Sequence, residues 1–242
     1  MSTAIHLLCQ YLSHRDVITG EERDILLSLP QRTVLFQKGA EIVAEGSRPD
    51  NSCFIYSGWT ARAVHGRNGA RQLTALHVAG DFVDLHALVL KQMDHSVVAL
   101  SECVAVFIPH ESLRAITEQA PHLTRLLWMS TTIDAAIQRK MTALIGRHTP
   151  AERLAHLMCE VYLRLEAIGH IKNRTFRFPL TQSEIADLLG LSLVHTNRTI
   201  RDLRATNWII WEQFDVTIPD FAKLAKFAGF DSNYLNLRVE SR

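Results

Sequence analysis

LTQSEIADLLGLSLVHTNRTIRDLR, residues 180–204, holds two short helices and the turn between them. Thr181 and Glu184 have the spacing of a capping box, in which each residue satisfies a free backbone N–H of the other, so a helix starts here. Ile185, Ala186, Leu188 and Leu189 give that helix its apolar face. Gly190 supplies the left-handed residue that ends it, and Ser192 is suited to cap a second helix two residues later. A turn of about three residues between two helices is the requirement of a helix-turn-helix. In the second helix Ile200 and Leu203 point to the core. Leu193, Val194, Asn197, Arg198 and Arg201 recur on the outer face, with side chains able to read DNA.

Charge supports this reading locally rather than globally. The whole chain of 242 residues carries a net charge of only +1. Between residues 172 and 204, however, Lys172, Arg174, Arg177, Arg198, Arg201 and Arg204 face only Glu184, Asp187 and Asp202. Phosphate attraction is therefore concentrated on the two-helix unit. With 47% hydrophobic residues, the chain is long enough to bury two modest cores. It has no apolar run of membrane-spanning length, and MSTAIHLLCQYLSHRD lacks the basic and apolar regions of an export signal. Cys9, Cys53, Cys103 and Cys159 are scattered without a C-x-x-C pair. A reducing cytoplasm, and no membrane, is the expected setting.

Outward from this stretch, the hydrophobic period changes twice. Residues up to about 29 space as short helices, the second beginning at Thr19-Gly-Glu-Glu and ending at Pro30. From Arg32 to Pro109 the period is two, with strands predicted at Thr33–Phe36, Glu41–Ala44, Cys53–Tyr56, Arg71–Leu76, Ser96–Leu100 and Val104–Ile108. Lys38-Gly39, Glu45-Gly46, Ser57-Gly58, Asn68-Gly69 and Ala79-Gly80 punctuate them, as in a small barrel or roll. From Pro121 a helix of about 25 residues, about 37 Å long, carries an apolar stripe that includes Leu126, Met129, Ile133, Ile137, Met141 and Leu144. One face of it can cover the roll and another a second copy of itself. Thr149-Pro150 starts a further helix, and strands predicted at Thr175–Phe178, Trp208–Trp211 and Val216–Ile218 flank the two-helix unit as a wing. A last helix holds Phe221, Leu224 and Phe227, and the tail after Gly229 is expected to be loosely ordered.

The predicted fold class is thus α+β: an N-terminal antiparallel β-roll (double-stranded β-helix) in residues 1–120, a long dimerisation helix in 121–146 and a C-terminal winged helix-turn-helix in 147–242. This order resembles the Crp/Fnr superfamily of bacterial transcription regulators, whose roll binds cyclic nucleotides in some members. The resemblance runs from about Leu12 to Phe227. Its most specific part is T-x-x-E-I-A, then L-G-L-S, then the recognition-helix arginine Arg198; Gly80-Asp-Phe-Val-Asp84 resembles the entry to the family's ligand cassette. The resemblance implies a homodimer joined along the long helix, double-stranded DNA with a pseudo-palindromic site as ligand, RNA polymerase as a partner, and no enzyme activity.

Residue by residue, the resemblance puts Arg198 where the family arginine grips guanine, Val194 where many members have glutamate, and Asn197 where they have glycine or serine. Arginine can bond O6 and N7 of guanine together, asparagine suits adenine, and valine suits a thymine methyl. Thr181, Gln182, Ser192, His195 and Arg201 are placed for phosphates. The expected effector pocket comprises Gly80, Asp81, Asp84, His95 and Ser96. There His95 replaces the arginine that holds a cyclic phosphate, so cyclic AMP is not expected. One N-terminal Cys9 cannot reproduce the cysteine set of an iron-sulfur member. His77, His86 and His95 show no H-x-H or H-x-x-x-H spacing, so neither haem nor metal is expected. Two other readings are a constitutive DNA-binding dimer whose roll is a scaffold, and a cupin-like metal protein. The second lacks the required paired histidines and glutamate on adjacent strands.

Overall fold

The computed structural model describes residues 3–67 and 69–240. Among them, Val64–Ala75 and Ala136–Leu235 form one compact unit and the remainder another, so the division falls inside the long helix.

The first unit opens with α1 (Thr3–Ser13) and α2 (Gly20–Leu27). Thr19 caps α2 in the reciprocal way its spacing with Glu22 demands: Glu22 N–H donates to Thr19 Oγ1 at 3.2 Å, and Thr19 N–H donates to Glu22 Oε2 at 2.9 Å. Seven strands follow along the chain, the end of β4 and most of β5 falling within Val64–Ala75 of the second unit: β1 (Arg32–Phe36), β2 (Glu41–Val43), β3 (Asn51–Ser57), β4 (Thr60–His65), β5 (Arg71–His77), β6 (Ser96–Ala99) and β7 (Cys103–Pro109). They form two sheets, ordered β1-β7-β3 and β2-β6-β4-β5. Cys53, Phe54 and Ile55 are all fully buried, so β3 is covered on both faces, and the roll core gathers Val43, Ile55, Met93, Val97 and Phe107. Asn68 of the predicted Asn68-Gly69 turn lies outside the described residues. Three elements were not legible in the hydrophobic period: β4, the single turn α3 (Ala87–Leu90) and α4 (His110–Gln119). β4 hides its alternation behind two alanines, and α4 is largely polar.

The long helix α5 runs Pro121–Arg147, 27 residues. The stripe predicted to meet a partner needs correction. Leu126, Ile133 and Leu144 are buried inside the chain, and Met129, Ile137 and Met141 are half-buried. An apolar period alone cannot tell which of two faces is already covered. The row most open to solvent is a different one: Trp128, Ala135 and Thr142 lie seven residues apart and exposed, flanked by Ile145, exposed, and by Thr131 and Gln138, which are half-buried like Met129, Ile137 and Met141.

In the second unit, Thr149 and Glu152 cap α6 (Pro150–Ala167), with Pro150 in the first turn. α6 is buried along most of its length and packs against α7 (Gln182–Leu189), α8 (Leu193–Ala205) and α9 (Phe221–Ala228). The wing is a three-stranded sheet, β8 (Thr175–Arg177), β10 (Asp215–Thr217) and β9 (Ile210–Glu212), in that order. β9 starts two residues later than predicted, because Asn207 takes a positive φ and Trp208 turns to pack on Phe227 at 4.5 Å. The tail is a second correction. Ser232–Leu235 form a 3-10 turn, Leu235 is buried, and the Tyr234 hydroxyl donates to Glu160 Oε2 at 2.8 Å on α6. His156 Nε2 lies 3.0 Å from the same hydroxyl and Arg164 reaches Glu160 Oε1 at 3.1 Å, so the tail completes a buried polar network.

Candidate nucleic-acid interface

Each half of the two-helix unit is fixed by its own cap. Thr181 N–H donates to Glu184 Oε2 at 2.6 Å and Glu184 N–H donates to Thr181 Oγ1 at 3.2 Å, which starts α7. Gly190 ends it at φ +63, a conformation that costs an L side chain about 1 kcal/mol or more, and Leu191 N–H closes back onto the Ala186 carbonyl at 3.0 Å. Ser192 Oγ then accepts from His195 N–H at 3.3 Å and α8 begins. The turn therefore comprises Gly190, Leu191 and Ser192. Inside, Thr196, Thr199, Ile200 and Leu203 are buried, anchoring α8 on the rest of the unit.

The opposite face of α8 is bare. Val194 is 80% exposed, the Arg198 and Arg201 side chains 71% and 76%, and Asn197 and His195 are exposed beside them. Val194, Asn197 and Arg198 thus share one solvent-facing surface at i, i+3 and i+4. Asp202 lies 3.6 Å from both Arg198 Nε and Arg201 Nε, a loose contact that holds neither guanidinium in place. Thr181, Gln182 and Ser192 are exposed at the starts of α7 and α8, where free backbone N–H groups favour an anion. Two features escaped the sequence. Asp202 separates the two arginines, and the wing turn between β9 and β10 presents Glu212 and Asp215, both exposed, where a phosphate-gripping wing needs cations. The same turn exposes Phe214, with Arg177 stacked 5.5 Å from its ring centre.

The expected effector residues are buried, and each polar one bonds a different neighbour. Gly80, at φ +93, lies against Tyr11, whose ring a Cβ would meet at 2.8 Å. Asp81 Oδ2 accepts from Val78 N–H at 2.8 Å. Asp84 Oδ1 accepts from Cys53 N–H at 2.6 Å, and burial lifts its carboxyl to about 7. Ser96 Oγ donates to Glu41 Oε1 at 2.5 Å and accepts from Glu45 N–H at 3.1 Å. His95 accepts at Nε2 from Arg62 Nε at 3.0 Å, and its Nδ1 lies 2.6 Å from Asp94 Oδ1. Burial first, and then the Arg62 charge, push His95 down to about 4, so it is a neutral ring. Beside these residues opens an apolar cleft of about 460 Å³, lined by Leu85, His86, Leu88, Thr124, Leu127 and Trp128 among others. None of the five expected residues lines it.

Comparison with known proteins agrees with this arrangement. The model of the cyclic nucleotide-binding domain matches residues 33–120, and that of the Crp-like helix-turn-helix domain matches residues 152–227. The chain is 26% identical over 228 residues to the transcriptional activator protein FnrL of Cereibacter sphaeroides, covering 92% of this chain and 91% of that protein. It is 27% identical over 223 residues to the transcriptional activator protein anr of Pseudomonas aeruginosa, covering 92% and 89%. The structure of FixK2 from Bradyrhizobium japonicum superposes with a TM-score of 0.74 at 20% identity, over 82% of this chain and 98% of that one. No described helix is long and apolar enough to cross a membrane. With a roll of the first kind, a helix-turn-helix of the second and a bare recognition face on α8, the chain belongs to the Crp/Fnr superfamily of DNA-binding transcription regulators.

Proposed function

We propose that the protein acts in the cytoplasm as a homodimer that reads a pseudo-palindromic DNA site through α8 and presents RNA polymerase with a bound regulator. The observation that carries this is the outer face of α8, where Val194, Asn197 and Arg198 are exposed together and free of strong internal contacts. Arg198 reads guanine, Asn197 adenine and Val194 a thymine methyl, while Thr181, Gln182, Ser192, His195 and Arg201 hold phosphates. The partner copy packs on the row Trp128, Ala135 and Thr142 with Thr131, Gln138 and Ile145, since a seven-residue repeat keeps one seam facing its mate. Selecting bound duplexes from a random pool tests the reading; an inverted repeat supports it, and a pool left unenriched contradicts it.

The roll does not take a cyclic nucleotide in this reading. The position of the phosphate-holding arginine is His95, a neutral ring already engaged by Arg62 and Asp94. Haem and an iron-sulfur cluster are not needed either: Cys9, Cys53, Cys103 and Cys159 are each buried, and burial raises the thiol of each. A second reading, DNA binding with no effector, is favoured by the internal pairing of Asp81, Asp84 and Ser96. Metal-stripped, nucleotide-free protein that binds its selected site at full affinity supports this second reading.

A further inference from the structure

One group of ionisable side chains is left unused by DNA reading. His86 stands just before α3, and Asp94 and His95 just before β6; the two imidazole rings are 5.2 Å apart. One ligand-type atom from each of His86, Asp94 and His95 lies within 4.8 Å of the others. We propose that these three side chains bind a divalent first-row transition-metal ion.

The donor chemistry fits. Two imidazoles and one carboxylate suit zinc or iron(II), and leave open positions for water or an external ligand. A neutral imidazole keeps one ring nitrogen with a free lone pair, the form in which it ligates metal. The Nε2 atom of His86 is fully buried and has no hydrogen-bond partner among the described residues. A buried polar atom left so costs about 1–3 kcal/mol, which a bond to metal removes. Bonds of about 2.0–2.2 Å place ligand atoms roughly 3.3 Å apart. The group therefore closes by small side-chain rotations, for which the Asp94 side chain, 81% exposed, has room once its contact with His95 Nδ1 gives way. His86 also lines the 460 Å³ cleft, which supplies room beside the ring for the remaining ligands.

Binding has a consequence for Arg62. His95 now accepts from Arg62 at Nε2, and Arg62 Nη2 pairs with Asp134 of α5 at 2.9 Å. An ion at Nε2 takes the lone pair that Arg62 uses. An ion at Nδ1 shifts the ring proton to Nε2, which then faces Arg62 as a donor. Either way the ring stays neutral, no net proton is released, and the Arg62–His95 bond is lost. Metal and Arg62 therefore compete for His95, and the ion state is felt at Asp134 on the long helix. The nine-residue gap from His86 to His95 fits no helical or alternating ligand pattern, which is why the sequence led to an expectation of no metal.

Zn2+ titrated into metal-stripped full-length protein, against a chromophoric chelator, tests the site, with Co2+ absorption reporting the ligand type. The expected result is one tight ion per chain and a Co2+ spectrum free of thiolate bands. H86A and D94N should each weaken Zn2+ binding by about tenfold or more. D94N alters an exposed side chain, so it decides the matter even if H86A fails to fold. Unchanged Zn2+ affinity in both variants, or no tight ion in the wild type, overturns the site. R62Q should bind Zn2+ several-fold more tightly; equal or weaker binding overturns the competition. The site is independent of the DNA-binding reading: R198A should take up Zn2+ as the wild type does, whatever it does to DNA.

Discussion

Replacing Trp128 with glutamate attacks the proposed partner face where it is most apolar. Trp128 is 68% exposed in the single chain, and a buried tryptophan removes about 150–250 Å² from water. The partner copy can therefore cover roughly 100–170 Å² of it, a contribution of about 2.5–4 kcal/mol per copy at 25 cal/mol per Å². Even one copy's share raises the dimer dissociation constant by about two orders of magnitude. The substitution also leaves a carboxylate to be buried in each copy, which adds to the effect. Because most of the side chain touches solvent in the chain itself, folding should be little changed, and circular dichroism provides that control. Sedimentation velocity over a concentration series measures the dissociation constant, and binding to the selected duplex should weaken with it. A W128E protein that remains dimeric at the wild-type concentrations would refute the assignment of the Trp128, Ala135, Thr142 face.

Three further outcomes are expected. R198A should leave stability within about 0.5 kcal/mol, since the Arg198 side chain is 71% exposed and its contact with Asp202 is loose, and should remove about 1–3 kcal/mol of discrimination at one base pair per half-site; R201A should instead lower the salt dependence of binding by about one ion per chain. Thr196 Oγ1 is buried without a hydrogen-bond partner among the described residues, so T196V should stabilise the protein by about 1 kcal/mol in urea unfolding; destabilisation would show the hydroxyl to be satisfied. His122 donates to Glu22 Oε1 at 2.7 Å and to Asp16 Oδ2 at 3.0 Å; burial opposes its charge, but these two carboxylates outweigh it and raise the imidazole above its ordinary 6.5. A raised folded value means stability fully present below about pH 6.5 and lost as pH climbs through the folded value, so the gap between wild type and H122Q should be wider at pH 6 than at pH 8.5. A gap that does not change with pH would contradict the pairing.

Why some of this was legible in the chain and some was not follows from the range of the forces. Thr181, Glu184, Gly190 and Ser192 act through the backbone within four residues, so their spacing was enough to predict both helices and the turn. The caps at Thr19 and Thr149 were legible for the same reason. The free face of α5 was not, because whether Leu126 or Trp128 meets solvent depends on what packs from far along the chain. Tyr234 finds Glu160 across 74 residues, and His86 finds His95 only through the turn that follows α3. The effector residues show the same limit: Asp81, Asp84, His95 and Ser96 are close in sequence, yet each bonds a different neighbour.

The central claim is that α8 reads DNA in two symmetric copies. Selection from random duplexes at moderate salt, followed by footprinting of the enriched site, tests it most directly. The expected result is an inverted repeat whose half-sites lie about one helical turn, roughly 34–36 Å, apart, each with a guanine whose preference disappears in R198A. A single asymmetric site, or a symmetric one whose guanine preference survives R198A, would contradict it.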